Sequence, residues 1–165
     1  MPVRRLNHAV LYVSALEESV AFYTEVFGFE VAMNIPGRAV FLRAAGTLND
    51  HDLGLFNVGP NAPRPAPGSV GLYHLAWEVG TLAELAEIGQ KLSERGALKG
   101  ASDHLVSKSF YGKDPNGIEF EVMWRVPRED WPTDEPPGVL PLDLDAALRR
   151  WGADLKTGAA AGSAT

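Results

Sequence analysis

Leu6-Asn7-His8-Ala9-Val10-Leu11-Tyr12-Val13 aligns with Leu72-Tyr73-His74-Leu75-Ala76-Trp77-Glu78-Val79 at one constant offset. His8 falls on His74, Val13 on Val79 and, further along, Leu16 on Leu82. Both octets alternate with the period of a strand. Ala9, Leu11 and Val13 share one face against His8, Val10 and Tyr12. Leu75, Trp77 and Val79 likewise oppose His74, Ala76 and Glu78. The continuation repeats as well. Ser14-Ala15-Leu16-Glu17 and Thr81-Leu82-Ala83-Glu84 read as capping boxes. They lead helices with apolar stripes at Leu16, Val20, Tyr23 and Phe27, and at Leu82, Leu85, Ile88 and Leu92. Gly28 and Gly96 are the expected stops.

Three strand candidates complete the first copy, at residues 29–33, 39–44 and 52–58, and three complete the second, at 98–100, 107–111 and 118–124. Each copy therefore reads β-α-β-β-β. The expected fold is α+β: two tandem βαβββ modules, residues 4–58 and 71–126, forming a curved mixed-sheet cup with helices outside. Neither module has much core of its own. The helix-facing strand residues are apolar, so the His-bearing faces would be the inner ones. Residues 59–70, with Pro60, Pro63, Pro65 and Pro67, suit an extended linker. Residues 127–165 are expected to form a tail with one short helix inside 142–155 and a disordered end from 156.

Composition narrows the chemistry. The formal charge is −6, which argues against a protein that tracks nucleic-acid phosphates. Cysteine is absent, so disulfides and thiolate metal sites are excluded and any metal must be held by His, Asp or Glu. No apolar run is long enough for a membrane span or a signal peptide, and a soluble cytoplasmic protein is expected. There are four histidines, and one in each copy occupies the equivalent strand position. Two imidazoles and a carboxylate on one face leave positions open for substrate and dioxygen. Glu119 and Glu121 share a face of the last strand, and periodicity does not choose between them.

Phe110-Tyr111-Gly112-Lys113-Asp114-Pro115-Asn116-Gly117-Ile118-Glu119-Phe120-Glu121 resembles the closing motif of the vicinal oxygen chelate superfamily, in which paired βαβββ modules form a metal-binding cup. More narrowly, His104, Phe110-Tyr111, Asp114-Pro115, Gly117 and Glu121 look like the signature of extradiol ring-cleavage dioxygenases. Ser102 departs from it, standing where the pattern has a small or apolar residue. Asn49-Asp50-His51-Asp52-Leu53-Gly54-Leu55-Phe56 is similar to the family segment that carries an acid/base histidine. The resemblance covers about residues 4–126.

It implies metal ligands at His8, His74 and Glu121, an acid/base at His51, substrate hydrogen bonding by Tyr111 and a supporting role for His104. It also implies Fe(II), with Mn(II) as a replacement, and a catechol-like substrate cleaved by O2. Glyoxalase-like relatives typically add a fourth ligand at the end of the first module. Leu55 occupies that place here, with Asp50 and Asp52 nearby. Three ligands match the 2-His-1-carboxylate pattern of non-heme oxygenases. A glyoxalase-like isomerase or lyase and a drug-sequestering binding protein are the alternatives. No membrane or nucleic-acid partner is implied, and a homodimer is expected.

Overall fold

Strand alternation sets the first layer. Leu11 and Val13 are buried, whereas Val10 and Tyr12 are 51% and 74% exposed on the opposite face. A computed structural model of the chain describes residues 2–64, 66, 68–134 and 138–158. The element order is β1 (Ala9–Val13), α1 (Leu16–Phe27), β2 (Glu30–Ile35), β3 (Ala39–Arg43), β4 (Leu53–Asn57), β5 (His74–Val79), α2 (Leu82–Glu94), β6 (Leu98–Asp103), β7 (Ser107–Lys113), β8 (Glu119–Arg125) and α3 (Leu144–Trp151). The described residues fall into two units, residues 2–71 with Asp114–Gly117, and Leu72–Lys113 with residues 118–158.

Unit one holds a four-stranded sheet of order β1-β4-β3-β2, parallel between β1 and β4 and antiparallel elsewhere. Its core joins Leu11, Val13, Leu42, Leu53 and Leu55 of the sheet with Phe22, Tyr23 and Val26 of α1. α1 ends where expected: Gly28 takes a left-handed φ of 71° and its N–H reaches the Thr24 carbonyl at 3.1 Å. Its start differs. The N-cap is Ala15 and the expected Ser14 cap is absent. Asn116 Oδ1 instead accepts from both the N–H and the hydroxyl of Ser14, at 2.8 and 3.1 Å. The same loop, Asp114–Gly117, accepts the Tyr23 hydroxyl on Asp114 at 3.2 Å, and Asn116 Nδ2 donates to Ser19 at 2.8 Å. Arg64 donates to the Asn116 carbonyl, which ties down part of the linker. Pro65 and Pro67 lie outside the described residues.

Unit two repeats the order as β5-β8-β7-β6, again parallel only between its first two members. The Thr81 capping box is complete: Glu84 N–H donates to the Thr81 hydroxyl, and the Glu84 carboxylate accepts from Thr81 N–H. Leu82, Leu85, Ile88 and Leu92 bury the α2 stripe near Phe120, Val122 and Trp124 of β8. β6 runs to Asp103, three residues beyond the expected stretch. Its end gains partners on both sides, Lys108 across the hairpin and a bridge to Leu140.

α3 begins at Asp143, whose carboxylate accepts from Ala146 N–H at 2.8 Å. Trp151 packs its ring on Trp124 at 5.5 Å, and buried Thr157 donates its N–H to Gly80. Residues 135–137 and 159–165 lie outside the described residues. No described helix is long and apolar enough to cross a membrane.

Gly112 sits where β7 meets Phe120 and the Ala97 carbonyl. A Cβ there would lie 2.8 Å from that carbonyl oxygen and closer still to the Phe120 ring. Gly112→Ala is therefore expected to destabilise the protein by roughly 1–3 kcal/mol in chemical denaturation. Gly100→Ala, whose added methyl meets nothing nearer than 4.0 Å, should stay within about 0.5 kcal/mol. Equal effects at the two positions would contradict this packing.

Candidate functional site

In unit two the antiparallel register of β7 and β8 sets Tyr111 opposite Glu121, and parallel β5 brings His74 alongside. His74 Nε2 lies 3.3 Å from Glu121 Oε2. The Tyr111 hydroxyl lies 3.1 Å from Glu121 Oε1 and 2.6 Å from His104 Nε2. One carboxylate thus has an imidazole on one oxygen and a phenol on the other. The two glutamates that parity left equivalent are now distinct. Glu119 pairs with the Lys113 ammonium at 3.0 Å, while Glu121 faces His74 and Tyr111.

His104 is placed by backbone. It sits in the β6–β7 turn, with its N–H on the Ser107 carbonyl at 2.9 Å, beside Leu105 at a φ of 69°. A leucine in the left-handed region costs on the order of 1–3 kcal/mol. Asp103 compensates locally, accepting the Leu105 N–H at 2.7 Å and pairing with the Lys108 ammonium at 2.5 Å. The tail contributes a carbonyl: Gly138 O lies 3.0 Å from His104 Nδ1. A carbonyl only accepts, so Nδ1 carries hydrogen. If His104 is neutral, Nε2 accepts from Tyr111. If it is cationic, Nε2–H donates to the phenol, whose own hydrogen is then free for Glu121.

Tyr111 has its pKa pushed up to about 12, first by burial and then by the charge and hydrogen bond of Glu121. The phenol therefore stays protonated across the physiological range and acts as a hydrogen-bond donor.

In unit one, the ring centroids of His8 and His51 are 4.6 Å apart. His51 follows β3 and precedes β4. Its Nδ1 lies 2.8 Å from the Asp50 carboxylate, and Phe41 meets its ring edge-on at 5.0 Å. A carboxylate accepts only, so Nδ1–H donates to it and Nε2 is the nitrogen left for chemistry. That hydrogen bond also lowers the pKa of exposed Asp50. Asp52 is differently engaged. Its two oxygens accept from Ala44 N–H, the Thr47 hydroxyl and Asn49 Nδ2 at 2.8, 3.0 and 2.7 Å, so it closes the loop that presents His51.

Among the described residues, no three His, Cys, Asp or Glu side chains are grouped so that they could hold a metal ion, and that includes the expected set His8, His74 and Glu121. The unit-one side chains are the His8 and His51 pair, and the unit-two side chains are His74, Glu121, Tyr111 and His104. Gly138, Asn7 and Asn49 were not singled out from sequence. Gly138 lies in an aperiodic, proline-rich tail, and the two asparagines act through amide geometry that strand period does not report.

The sequence model described as the Glyoxalase/Bleomycin resistance protein/Dioxygenase superfamily matches residues 5–122. The chain is 31% identical over 157 residues to a catechol-2,3-dioxygenase of Bacillus subtilis (strain 168), covering 92% of this chain and 54% of that protein. It thus spans about half the length of that relative. It is also 31% identical over 121 residues to biphenyl-2,3-diol 1,2-dioxygenase 3 of Rhodococcus globerulus, covering 72% of this chain and 62% of that one. Among solved structures, a lactoylglutathione lyase from Agrobacterium tumefaciens aligns with a TM-score of 0.56 at 25% identity, covering 75% of this chain and 96% of that one.

The raised pKa of Tyr111 has a stability consequence in the metal-free protein. Above pH about 10 the unfolded chain releases this proton, while the folded chain holds it up to about 12. The contribution is full below the lower value and fades as pH rises through the upper one. Tyr111→Phe should flatten the decline of the denaturation midpoint across that window. Parallel declines in the two proteins would contradict the assignment.

Proposed function

Because the chain belongs to the glyoxalase/bleomycin resistance protein/dioxygenase superfamily, we propose that it is a metal-dependent extradiol-type dioxygenase, opening the ring of a catechol or related vicinal diol with O2. The observation that carries this reading is the Glu121 carboxylate held between His74 and Tyr111, with His104 behind the phenol. The donor set fits a divalent ion. Neighbouring nitrogen and oxygen ligands of such an ion stand about 3 Å apart when each bond is near 2.1 Å, and His74 Nε2 and Glu121 Oε2 are 3.3 Å apart. His74, Glu121 and His8 are the proposed ligands. Fe(II) is the proposed ion, with Mn(II) suited to the same imidazole and carboxylate set. When bound, it would supply a Lewis-acidic template and an electron path between diol and dioxygen.

The protein's own groups divide the remaining work. Tyr111, protonated up to about pH 12, donates its hydrogen bond to a diol oxygen and orients the ring. His104, with Nε2 2.6 Å from the phenol oxygen, positions the phenol for that role. His51, with Nδ1 engaged by Asp50, gives and takes the proton at Nε2. Phe41 beside His51, with Phe56 packed on it at 5.7 Å, provides an apolar surface that keeps water from the ring. The overall change balances without an external reductant. The bond between one hydroxyl-bearing carbon and its unsubstituted neighbour breaks, two carbonyls form, and both atoms of O2 enter the product.

A second reading, a divalent-metal isomerase or lyase, draws on the structural likeness to a lyase. It calls for a fourth ligand from the first module. The carboxylates closest to that place, Asp50 and Asp52, are already engaged by His51 and by the loop backbone.

After anaerobic Fe(II) loading, the protein should consume O2 with a panel of catechols and form yellow ring-opened products. His74→Ala and Glu121→Ala should abolish uptake, and His51→Ala should lower kcat by about 10²–10⁴. Turnover under nitrogen would favour the isomerase or lyase. Tight diol binding without metal, surviving in His8→Ala, would favour a sequestering protein.

A further inference from the structure

One unambiguous donor fixes the polarity of the amides beneath His8. A guanidinium only donates, so the atom of the Asn49 amide lying 2.6 Å from Arg5 Nη2 is its oxygen. The Asn7 amide atom 3.0 Å from that same oxygen is therefore its nitrogen. The other end of the Asn7 amide is then an oxygen, and it lies 2.8 Å from His8 Nδ1. His8 must donate from Nδ1–H, which in the neutral ring leaves the lone pair on Nε2.

Asn49 is locked from its other end too. Its Nδ2 donates to the Asn7 carbonyl at 2.9 Å and to Asp52 Oδ1 at 2.7 Å, both pure acceptors. Two bonds accepted and two donated use its full capacity. The residue is only 9% exposed, so a reversed amide would leave four buried mismatches. Asp52 in turn organises the loop that ends in Asp50-His51. The same amide therefore sets the polarity at His8 and ties down the loop that carries His51.

We propose that Arg5, Asn49 and Asn7 form a polarity relay that holds His8 in the Nδ1–H tautomer and reserves Nε2 as its working nitrogen. Asn7 and Asn49 are positioning residues. Naming a divalent ion as the partner of Nε2 rests on the reading of His8 as a ligand, whereas the tautomer does not. A ligand imidazole whose second nitrogen is held by an acceptor has its ring orientation fixed and its donor strength raised, and losing such support costs roughly 10–100-fold in metal affinity.

The test is long-range ¹H–¹⁵N NMR of the full, chelator-treated chain at about pH 8.5, roughly two units above an unperturbed imidazole, with His8 assigned by its loss in His8→Gln. The wild type should show protonated Nδ1 and bare Nε2 at His8. Asn7→Ala and Asn49→Ala should move His8 toward a mixture of tautomers. Asn7→Asp keeps the acceptor and should restore the wild-type pattern, and His104, held by the Gly138 carbonyl, should not move in any of them. Asn7 is exposed, so its variants report even if Asn49→Ala does not fold. An unchanged His8 tautomer in Asn7→Ala overturns the relay. A Zn(II) titration of the same proteins should weaken about 10–100-fold in Asn7→Ala. If the wild type binds no ion, the ligand reading fails while the NMR result still decides the relay.

Discussion

The Glu121 carboxylate is the group on which the site in unit two turns. A half-buried carboxylate is stable only where its oxygens find partners, and here one oxygen meets the Tyr111 hydroxyl and the other faces His74. Both contacts follow from strand register. β8 lies between β5 and β7, so residues on its face away from the helix meet side chains from both neighbours. The Phe120, Val122 and Trp124 alternation on the other face holds that register, because a slip of one residue would turn three buried side chains outward. The functional face is fixed by the core behind it.

The two units share a topology and present different surfaces. Unit one sets His8 against His51 and His51 against Phe41, with polar control supplied by Asn7, Asn49 and Asp50. Unit two sets His74 among Glu121, Tyr111 and His104, with polar control running through the sheet face to the tail. The tail is part of that arrangement, since the Gly138 carbonyl and the Leu140 bridge fix the turn that carries His104. One frame occurs twice, and different residues on the strand faces give the two units different polar groups.

Much of this was legible in the sequence because it depends on period. The two octets with His8 and His74 placed both parallel edge strands. The Thr81 capping box and the Gly28 stop placed helix ends, each through one local hydrogen-bond pattern. Ser14 did not cap α1, because its hydroxyl answers to Asn116, a residue far along the chain that no local rule brings to it. The choice between Glu119 and Glu121 was likewise beyond parity; it follows from which of them meets Lys113 and which meets His74. Amide polarity at Asn7 and Asn49, and the carbonyl that Gly138 offers to His104, depend on three-dimensional neighbours alone.

X-ray absorption at the iron edge of the anaerobically loaded protein tests the central claim most directly. The account predicts one ion per chain, with scattering from two imidazoles and a short carboxylate oxygen shell, and loss of that signature in Glu121→Ala. A shell with fewer than two imidazoles, or one that Glu121→Ala leaves unaltered, would contradict it.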